Sequence, residues 1–492
     1  MSSSPGRRAT FRDVFAVAEF RALWASQILS VGGDRLALVA LTLLIYDRTR
    51  SPLLAAVAYA AGYVPYVIGA LFLSGLADRL PRREVMVACD VIRAVLVAAM
   101  LAPRMPLDAL IVLLYVTTAI QPPFDAARSA MLADVVQGER YALAAAAMQT
   151  TFRVAIIAGA AAGGVVVALA GARFALGVDA VTFVASAIVI QFGTAARQAA
   201  AKVAKAARAA AAATRPGTAA KAKPDSGHSP LTQLGAGFRV VFGDKALRTL
   251  VLLGWLAALY EVPEGLAAPY AARLGGGAVA AGLLIASGQV GAAVTMPIFT
   301  RKIGPLTRLR WMGPMAICAC VVLIVTIAAP GLAVSMAIFA MAGTFAIYQI
   351  AANTAFVSRL PNESRAQAFG LANAGLIVGQ GLAFTVAGAA AEVVPPSTVI
   401  AASGGLGALA ACGLALRWRS MSPAVGRHSA RHFRGRALLA TDVHGVHSVH
   451  GVHSVHGVQT VHDVRNVRGQ APLASQRQAP VYMDRSRVRG RG

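Results

Sequence analysis

The sequence predicts an all-α membrane protein in which twelve transmembrane helices form two pseudo-symmetric six-helix bundles. The 492 residues are 57% hydrophobic and only 14% charged, whereas about 25% of the residues of a soluble domain are charged. Apolar runs of Ala, Leu, Val and Gly recur along the chain, and each can supply the roughly 20 residues that span a bilayer. A membrane β-barrel would show alternating segments of about 10 residues instead. Helices are therefore predicted.

The apolar runs define twelve predicted spans, which we name span 1 to span 12: 24–46, 52–73, 85–102, 107–124, 142–169, 174–193, 248–270, 277–299, 311–329, 332–356, 366–391 and 396–416. The chain then divides into an N-terminal segment (1–23), an N-terminal bundle (24–193), a basic linker (194–247), a C-terminal bundle (248–416) and a basic tail (417–492). The polar N-terminal segment shows no short apolar region with a cleavage site, so we expect span 1 to be retained.

The distribution of charge predicts the orientation. Lys and Arg are concentrated in the even-numbered loops, and this bias places both termini and the linker in the cytoplasm of a protein in the cell membrane. The formal net charge of +25 lies in loops and tails, so it indicates topology and contact with anionic lipid and not nucleic acid. The tail repeats Val-His-Gly and Val-His-Ser over 444–456. Such a tract can bind Zn²⁺, but the composition favours a disordered tail without a metal site.

Several ionisable residues fall inside the predicted spans, where each costs several kcal/mol unless it is paired or hydrated. Asp34 lies about ten residues into span 1, near the middle of the membrane. Gln27 and Ser30 precede it at helical spacing and form a polar stripe that we expect to face a water-filled cavity. With Arg35 or Arg153 nearby, Asp34 could gain and lose a proton during a transport cycle.

Two further pairs of charged residues have a helical spacing of three residues. Asp90 and Arg93 in span 3 are expected to form a structural ion pair. Glu261 and Glu264 flank Pro263 in span 7, which predicts a kinked helix with two coupled carboxylates. The alternative is that span 7 ends sooner and leaves both at the outer surface. Uncharged polar residues of the second half are also expected to line the cavity: Gln349, Asn353, Asn373 and Gln380.

The turn between spans 2 and 3 resembles a family signature. Its matching residues are Leu76, Ala77, Asp78, Arg79, Arg82 and Arg83, with Ser74 and Pro81 at the two glycine positions of G-x-L-A-D-R-x-G-R-[RK]. This is the loop 2–3 motif of the major facilitator superfamily. Gly159–Gly164 is similar to the G-P-x-x-G-G motif of its antiporters, with Ala160 in place of proline. Three segments are similar to the enterobactin-exporter-like and macrolide-efflux-like branch: Phe20–Asp34, Asp90–Ala94 and Pro123–Arg128.

The resemblance implies two bundles that rock around a central cavity. It also implies that Asp78 and Arg82 form a charge cluster with Asp125 near the start of span 11, and that this cluster, with Arg79 and Arg83 beside it, acts as a conformational latch. The predicted activity is proton-coupled efflux of a small lipophilic molecule, such as a drug or siderophore. The predicted partners are that substrate, protons and the lipid bilayer; the protein is expected to be a monomer without a cofactor.

Two alternatives remain open at the level of sequence. One is a solute-uptake symporter, and the other is a non-transporting membrane sensor or scaffold. An enzyme is not expected, because the spans contain no convergent nucleophile, base and acid set and all nine histidines lie outside them. An ATP-driven pump is not expected either, since the chain lacks a Walker motif. Charges in the middle of the membrane favour transport over a scaffold, which gains nothing from them.

Overall fold

The protein is described from a computed structural model that covers residues 9–73, 75, 79–197, 230–361 and 364–440. The chain divides into a large unit, Met1–His428, and a C-terminal unit, Ser429–Gly492. All contacts discussed below belong to the first unit. The described residues form helices and connecting turns, with no β-strand among them. Asp78, the linker residues 198–229 and the histidine repeat at 444–456 lie outside the described residues.

The N-terminal half begins with a one-turn-and-a-half helix and then follows the predicted spans. Its helices are Phe11–Phe15, Ala18–Thr49, Pro52–Ala60, Val64–Phe72, Arg82–Ala99, Leu107–Ala119, Gln121–Val135 and Glu139–Gly193. Span 2 is interrupted before Val64, because Pro65 in the first turn of the second piece cannot donate a backbone hydrogen bond. Spans 5 and 6 meet at Gly171, whose φ of 83° is readily available only to glycine.

The C-terminal half is preceded by a helix that occupies part of the predicted linker. Its helices are Pro230–Gly243, Lys245–Trp255, Ala257–Tyr260, Val262–Gly265, Ala267–Arg273, Ala278–Lys302, Pro305–Val321, the 3₁₀ segment Val322–Ala328, Leu332–Ala346, Tyr348–Arg359, Arg365–Ala390 and Pro396–Ala440. Span 7 is broken into four pieces but stays helical to Arg273. The alternative in which span 7 ends before Glu261 is therefore wrong.

Ten helices within the described ranges are long and apolar enough to cross a membrane. Two of the twelve predicted spans share one of them, the 55-residue helix Glu139–Gly193. Span 3 corresponds to Arg82–Ala99, which has 18 residues but carries Arg82, Arg83, Glu84, Asp90 and Arg93. The protein is a multi-pass, all-α membrane protein, and Arg82–Ala99 is the predicted span that the ten apolar helices do not include.

The two halves pack together mainly at one face, which carries the connections between spans 1 and 2, 7 and 8, and 11 and 12. We call it the odd-loop face. Span 11 packs on Pro52–Ala60 far more than on Val64–Phe72. A Cβ atom added at Gly164 of span 5 would lie 2.5 Å from the carbonyl oxygen of Ala278, and one added at Gly282 of span 8 would lie 2.7 Å from that of Ala160. The halves are thus in backbone contact there.

Candidate functional site

The two halves are joined by a hydrogen-bonded carboxylate, Glu264 of span 7. One of its oxygens accepts a hydrogen bond from the Tyr59 hydroxyl of span 2 at 2.8 Å. The other accepts one from the Gln289 amide of span 8, also at 2.8 Å. Arg35 of span 1 lies within electrostatic reach of Glu264 and of Tyr59 and Tyr63. Glu264 is therefore bonded to both halves of the molecule.

A small cavity of ≈ 150 Å³ opens beside this carboxylate. It is lined by Arg35, Leu38, Val39, Tyr59, Tyr63, Arg153, Ile156, Ala160, Glu264, Ile285 and Gln289. The N-terminal half supplies its arginines, and the C-terminal half supplies its carboxylate. Glu261 accepts a hydrogen bond from the Gln380 amide and interacts electrostatically with Arg153 and Arg35. We call Arg35, Arg153, Glu261 and Glu264 the central network.

The broken helix of span 7 orients the two carboxylates. Glu261 ends the short helix Ala257–Tyr260 and begins Val262–Gly265, so it lies at a helix break next to Pro263. A Cβ atom at Gly265 would lie 2.9 Å from the Phe384 ring. Glycine at this position lets the ring approach closely, and it packs edge-on against Tyr59 and Tyr63 with centroid distances of 5.4 and 5.1 Å. These rings enclose the Tyr59–Glu264 hydrogen bond.

The second group of charges is buried inside the N-terminal half and corrects one prediction. Arg93 forms its ion pair with Asp34 of span 1 and not with Asp90. A spacing of three residues puts Asp90 and Arg93 on one side of span 3, but the long guanidinium reaches across to span 1. There it donates to the Ser30 hydroxyl at 3.3 Å and lies over the Phe183 ring at 4.2 Å. The predicted Asp90–Arg93 pair is therefore wrong.

The latch residues also have partners that differ from the prediction. Arg82 pairs with Asp134 and donates to the Ala130 carbonyl at 3.1 Å. Asp125 pairs with Arg128 at 2.9 Å and accepts from the Tyr66 hydroxyl at 3.2 Å. Asp125 and Asp134 are nine residues apart, about 13 Å along a helix, so Arg82 at the start of span 3 reaches only the latter. The predicted Arg82–Asp125 contact is wrong.

The remaining loop 2–3 residues are only partly described. Arg83 donates to the Thr194 carbonyl at 3.4 Å, which connects the start of span 3 to the end of span 6. Arg79 lies exposed at the turn. Asp78 falls outside the described residues, so its latch role stays a prediction.

The predicted cavity-lining residues fall into two groups. Gln27 and Ser30 are buried within the N-terminal half, where Gln27 donates to the Met148 carbonyl at 2.7 Å. They connect helices, so their predicted position on the cavity wall is wrong. Gln380 binds Glu261, and Gln349 donates to the Tyr260 hydroxyl at 2.6 Å and to the Gly254 carbonyl at 3.2 Å.

The other two predicted cavity-lining residues are less enclosed. Three polar residues that do line the cavity were not predicted. Asn353 is half-buried and Asn373 is exposed. Sequence reasoning overlooked Tyr59, Tyr63 and Gln289. The available signal was the spacing of four between two tyrosines in an Ala-rich span, together with a single glutamine in an apolar one.

The odd-loop face has a polar connection of its own between the halves. One oxygen of Glu392, just after span 11, accepts hydrogen bonds from the Ser51 hydroxyl and from the backbone amide of Leu53, the latter at 3.0 Å. Leu53 lies in the first turn of Pro52–Ala60, where amides lack partners within the helix. A carboxylate also favours the positive end of the helix dipole. Glu392 thus caps a helix of the opposite half.

Removing this cap is expected to open the odd-loop face. For Glu392→Ala we expect labelling of a cysteine introduced at Ile285, reached from that face, to rise roughly fivefold, the effect of ~1 kcal/mol in hydrogen bonding. The matched control is Asp47→Ala, because Asp47 is an exposed carboxylate that pairs only loosely with Arg50, at 3.9 Å. Equal labelling of both variants would contradict a role for the cap.

Together, these features define a membrane transporter in which two halves enclose a charged cavity. A sequence model described as Major Facilitator Superfamily matches residues 23–374, and the chain belongs to this superfamily. It is therefore a transporter and not an enzyme. No curated protein matches the chain.

Solved structures support the same fold. A peptide transporter POT in complex with sulfate is 15% identical, with a TM-score of 0.61 over 85% of this chain and 97% of that chain. A POT family transporter bound to 5-aminolevulinic acid is 10% identical, with a TM-score of 0.62 over 85% and 98%. A bacterial homologue of the iron transporter ferroportin in the inward-facing state is 14% identical, with a TM-score of 0.57 over 82% and 98%. At such identities the likeness concerns the fold alone.

Proposed function

We propose that the protein is a proton-coupled secondary transporter that works by alternating access. The observation that supports this proposal is the central network, in which Arg35 and Arg153 of one half face Glu261 and Glu264 of the other. A proton bound to Glu264 removes its attraction to Arg35, so proton binding and separation of the halves are linked. Ionisable groups persist inside a membrane protein where they bind a substrate or relay protons.

The sequence made Asp34 the first candidate for coupling. Its ion pair with Arg93 lies within one half, whereas Glu264 is bonded to both halves, so we propose Glu264 and Glu261 as the principal coupling groups. The even-numbered, Arg-rich loops are cytoplasmic in this proposal. The packed odd-loop face then faces outward, and the conformation described is closed on the outside. The monomer is the transporting unit, because one chain supplies both sides of the cavity.

The substrate we propose is a small, partly lipophilic molecule that the protein exports, such as a drug or siderophore. Support comes from the apolar and aromatic side chains that line the cavity beside the charges, among them Leu38, Tyr63, Ile156 and Ile285. Further support comes from Gly159–Gly164 and the other segments that resemble those of efflux proteins. The cell membrane is the proposed location, with both termini in the cytoplasm.

Uptake is the second candidate, and one observation favours it. Two arginines on one wall and the Glu264 carboxylate on the other are complementary to the carboxylate and ammonium groups of a zwitterion. Proteins with this fold include proton-dependent oligopeptide transporters. We therefore include short peptides among the substrates to be tested.

The experiment that tests the proposal uses purified protein in liposomes that contain a pH-sensitive dye. Lipophilic cations, a siderophore and dipeptides are first compared by their effect on thermal stability. A molecule that stabilises the protein is then supplied with and without a pH gradient. We expect its flux to depend on the gradient and to be accompanied by proton movement in the opposite direction for export, or in the same direction for uptake. Flux that ignores the gradient would overturn proton coupling.

A further inference from the structure

The N-terminal half contains a buried cluster of charges that the central network does not use. Asp34 of span 1, Asp90 and Arg93 of span 3 and Asp179 of span 6 interact electrostatically with one another. Asp90 is 0% exposed, and Arg93 and Asp179 are each 1% exposed. We call these four residues the acidic cluster. We infer that Asp90 and Asp179 form a second proton-binding site, built around Arg93 within this half alone.

The charges of the acidic cluster do not balance. Arg93 is paired with Asp34. Neither oxygen of Asp90 has a hydrogen-bond partner within the described residues, and Asp179 accepts only a 3.4 Å contact from the Thr182 hydroxyl. Three ionised carboxylates around one guanidinium would leave two negative charges uncompensated in the interior of a membrane protein. Because an unpaired buried charge costs several kcal/mol, such groups are held neutral.

Within the described residues, the other cation that acts on Asp90 is already engaged elsewhere. Apart from the other three members of the cluster, the titratable groups that interact with it electrostatically are Cys89 and Arg128. Arg128 is engaged with Asp125 at 2.9 Å and lies over the Phe124 ring. Ser186 of span 6 lies close to Asp90 and offers only a hydroxyl. Among the described residues no group of three or more His, Cys, Asp or Glu side chains is arranged to hold a metal ion, so the ligand that suits the site is the proton.

The site has a route for protons. Asp34 and Asp179 line a cavity of ≈ 70 Å³ together with Thr117, Thr118 and Gln121. This volume exceeds the ~10–15 Å³ that one water molecule needs, and three polar side chains supply hydrogen bonds to water. Asp34 is the most accessible acid of the cluster, with a side chain 20% exposed. Water in this cavity can therefore reach the carboxylates of Asp34 and Asp179.

Gly33 of span 1 makes room for the side chain of Asp179 of span 6. A Cβ atom at Gly33 would collide with the carboxylate of Asp179 and with the hydroxyl of Thr182. Glycine next to Asp34 thus lets the carboxylate of span 6 approach the backbone of span 1 in direct contact. Arg93 is paired with Asp34 and also interacts electrostatically with Asp179.

This arrangement permits a balanced exchange. When Asp34 takes a proton from the cavity, Arg93 loses its ionic partner and pairs with Asp179, which lines the same cavity. That carboxylate then releases its own proton to water in the cavity. One proton is bound and one is released, so the net charge of the cluster stays constant while the bound proton passes from Asp179 to Asp34. The relay rests on the proposed proton coupling, but occupation of the site does not require transport.

The test measures protonated carboxylic acids directly in purified protein at neutral pH, without substrate or a pH gradient. Infrared difference spectra should show a carboxylic-acid C=O band in the wild type. The band should lose intensity in Asp90→Asn and in Asp179→Asn. The matched control is Asp108→Asn, because Asp108 is exposed at the start of span 4 and its removal should leave the band unchanged.

A second measurement separates proton binding from a purely structural role. If the folded protein holds protons on Asp90 and Asp179, its thermal stability falls as pH rises, since the unfolded chain gives those protons up. Each Asn variant should show a flatter dependence of Tm on pH than the wild type. A wild-type band and pH dependence that neither variant alters would overturn the inference. Since no substrate is present, that result would leave the transport proposal untouched, and each variant reports independently if the other fails to fold.

Discussion

Gly164→Ala is expected to reduce transport by roughly five- to 150-fold, the range that corresponds to about 1–3 kcal/mol of overpacking. The added Cβ would lie 2.5 Å from the Ala278 carbonyl oxygen and 3.1 Å from the Cα of Gly282. Backbone atoms cannot move aside as a flexible side chain can. The conformation that is closed at the odd-loop face should therefore be destabilised relative to the open one.

The measurement combines flux in liposomes with accessibility of a cysteine introduced at Ile285, a cavity residue, in a background without the native cysteines. Labelling from the odd-loop face should increase in Gly164→Ala. The matched control is Gly177→Ala, since a Cβ at Gly177 of span 6 meets nothing within 4 Å. If Gly164→Ala keeps wild-type flux and labelling, the close contact of spans 5 and 8 is not needed for closure.

Glu264→Gln is expected to abolish movement driven by a pH gradient while the protein remains folded. Glutamine has the shape of glutamate and keeps an oxygen that can accept the hydrogen bond from the Tyr59 hydroxyl. In the wild type this hydrogen bond is 2.8 Å long. It carries no charge to attract Arg35 and takes up no proton. Transport down a substrate gradient, without a proton gradient, should be retained in part because the cavity keeps its size.

The control for this variant is Glu139→Gln, which removes an exposed carboxylate in the first turn of Glu139–Gly193. It should retain both kinds of flux. Undiminished proton-driven flux in Glu264→Gln would remove Glu264 from the coupling mechanism. Equal loss of both kinds of flux would indicate a structural role, which a thermal unfolding curve would reveal separately.

Most of the fold was predictable because the bilayer sets the length and composition of a span. The predicted spans coincide with helices even where the structure breaks them, as at Tyr63 and Gly171. Arg82–Ala99 shows the limit of hydropathy, because Arg82 and Arg93 have ion-pair partners inside the protein. The Gly164–Gly282 contact was not predictable, since glycines near the middle of two spans do not state which helices meet.

The sequence predicted which residues belong to the candidate site, but it did not predict their hydrogen-bond and ion-pair partners. The sequence singled out Asp34, Arg35, Arg153, Glu261 and Glu264 by their cost in a membrane. It could not show that Glu264 is bonded to Tyr59 and Gln289, which lie 205 and 25 residues away along the chain. Such contacts depend on how spans from both halves are arranged.

The sequence by itself determined the class of protein, the approximate spans and which charges lie within them, because hydrophobicity and charge are local properties. Only the tertiary structure decided which charged side chains form ion pairs with one another. Arg93 of span 3 pairs with Asp34 of span 1 and not with Asp90, which is three residues away along the chain. Arg82 pairs with Asp134 and not with Asp125. The physical reason is that an ion pair depends on distance in space, and helix packing brings together charges that helical spacing alone does not pair.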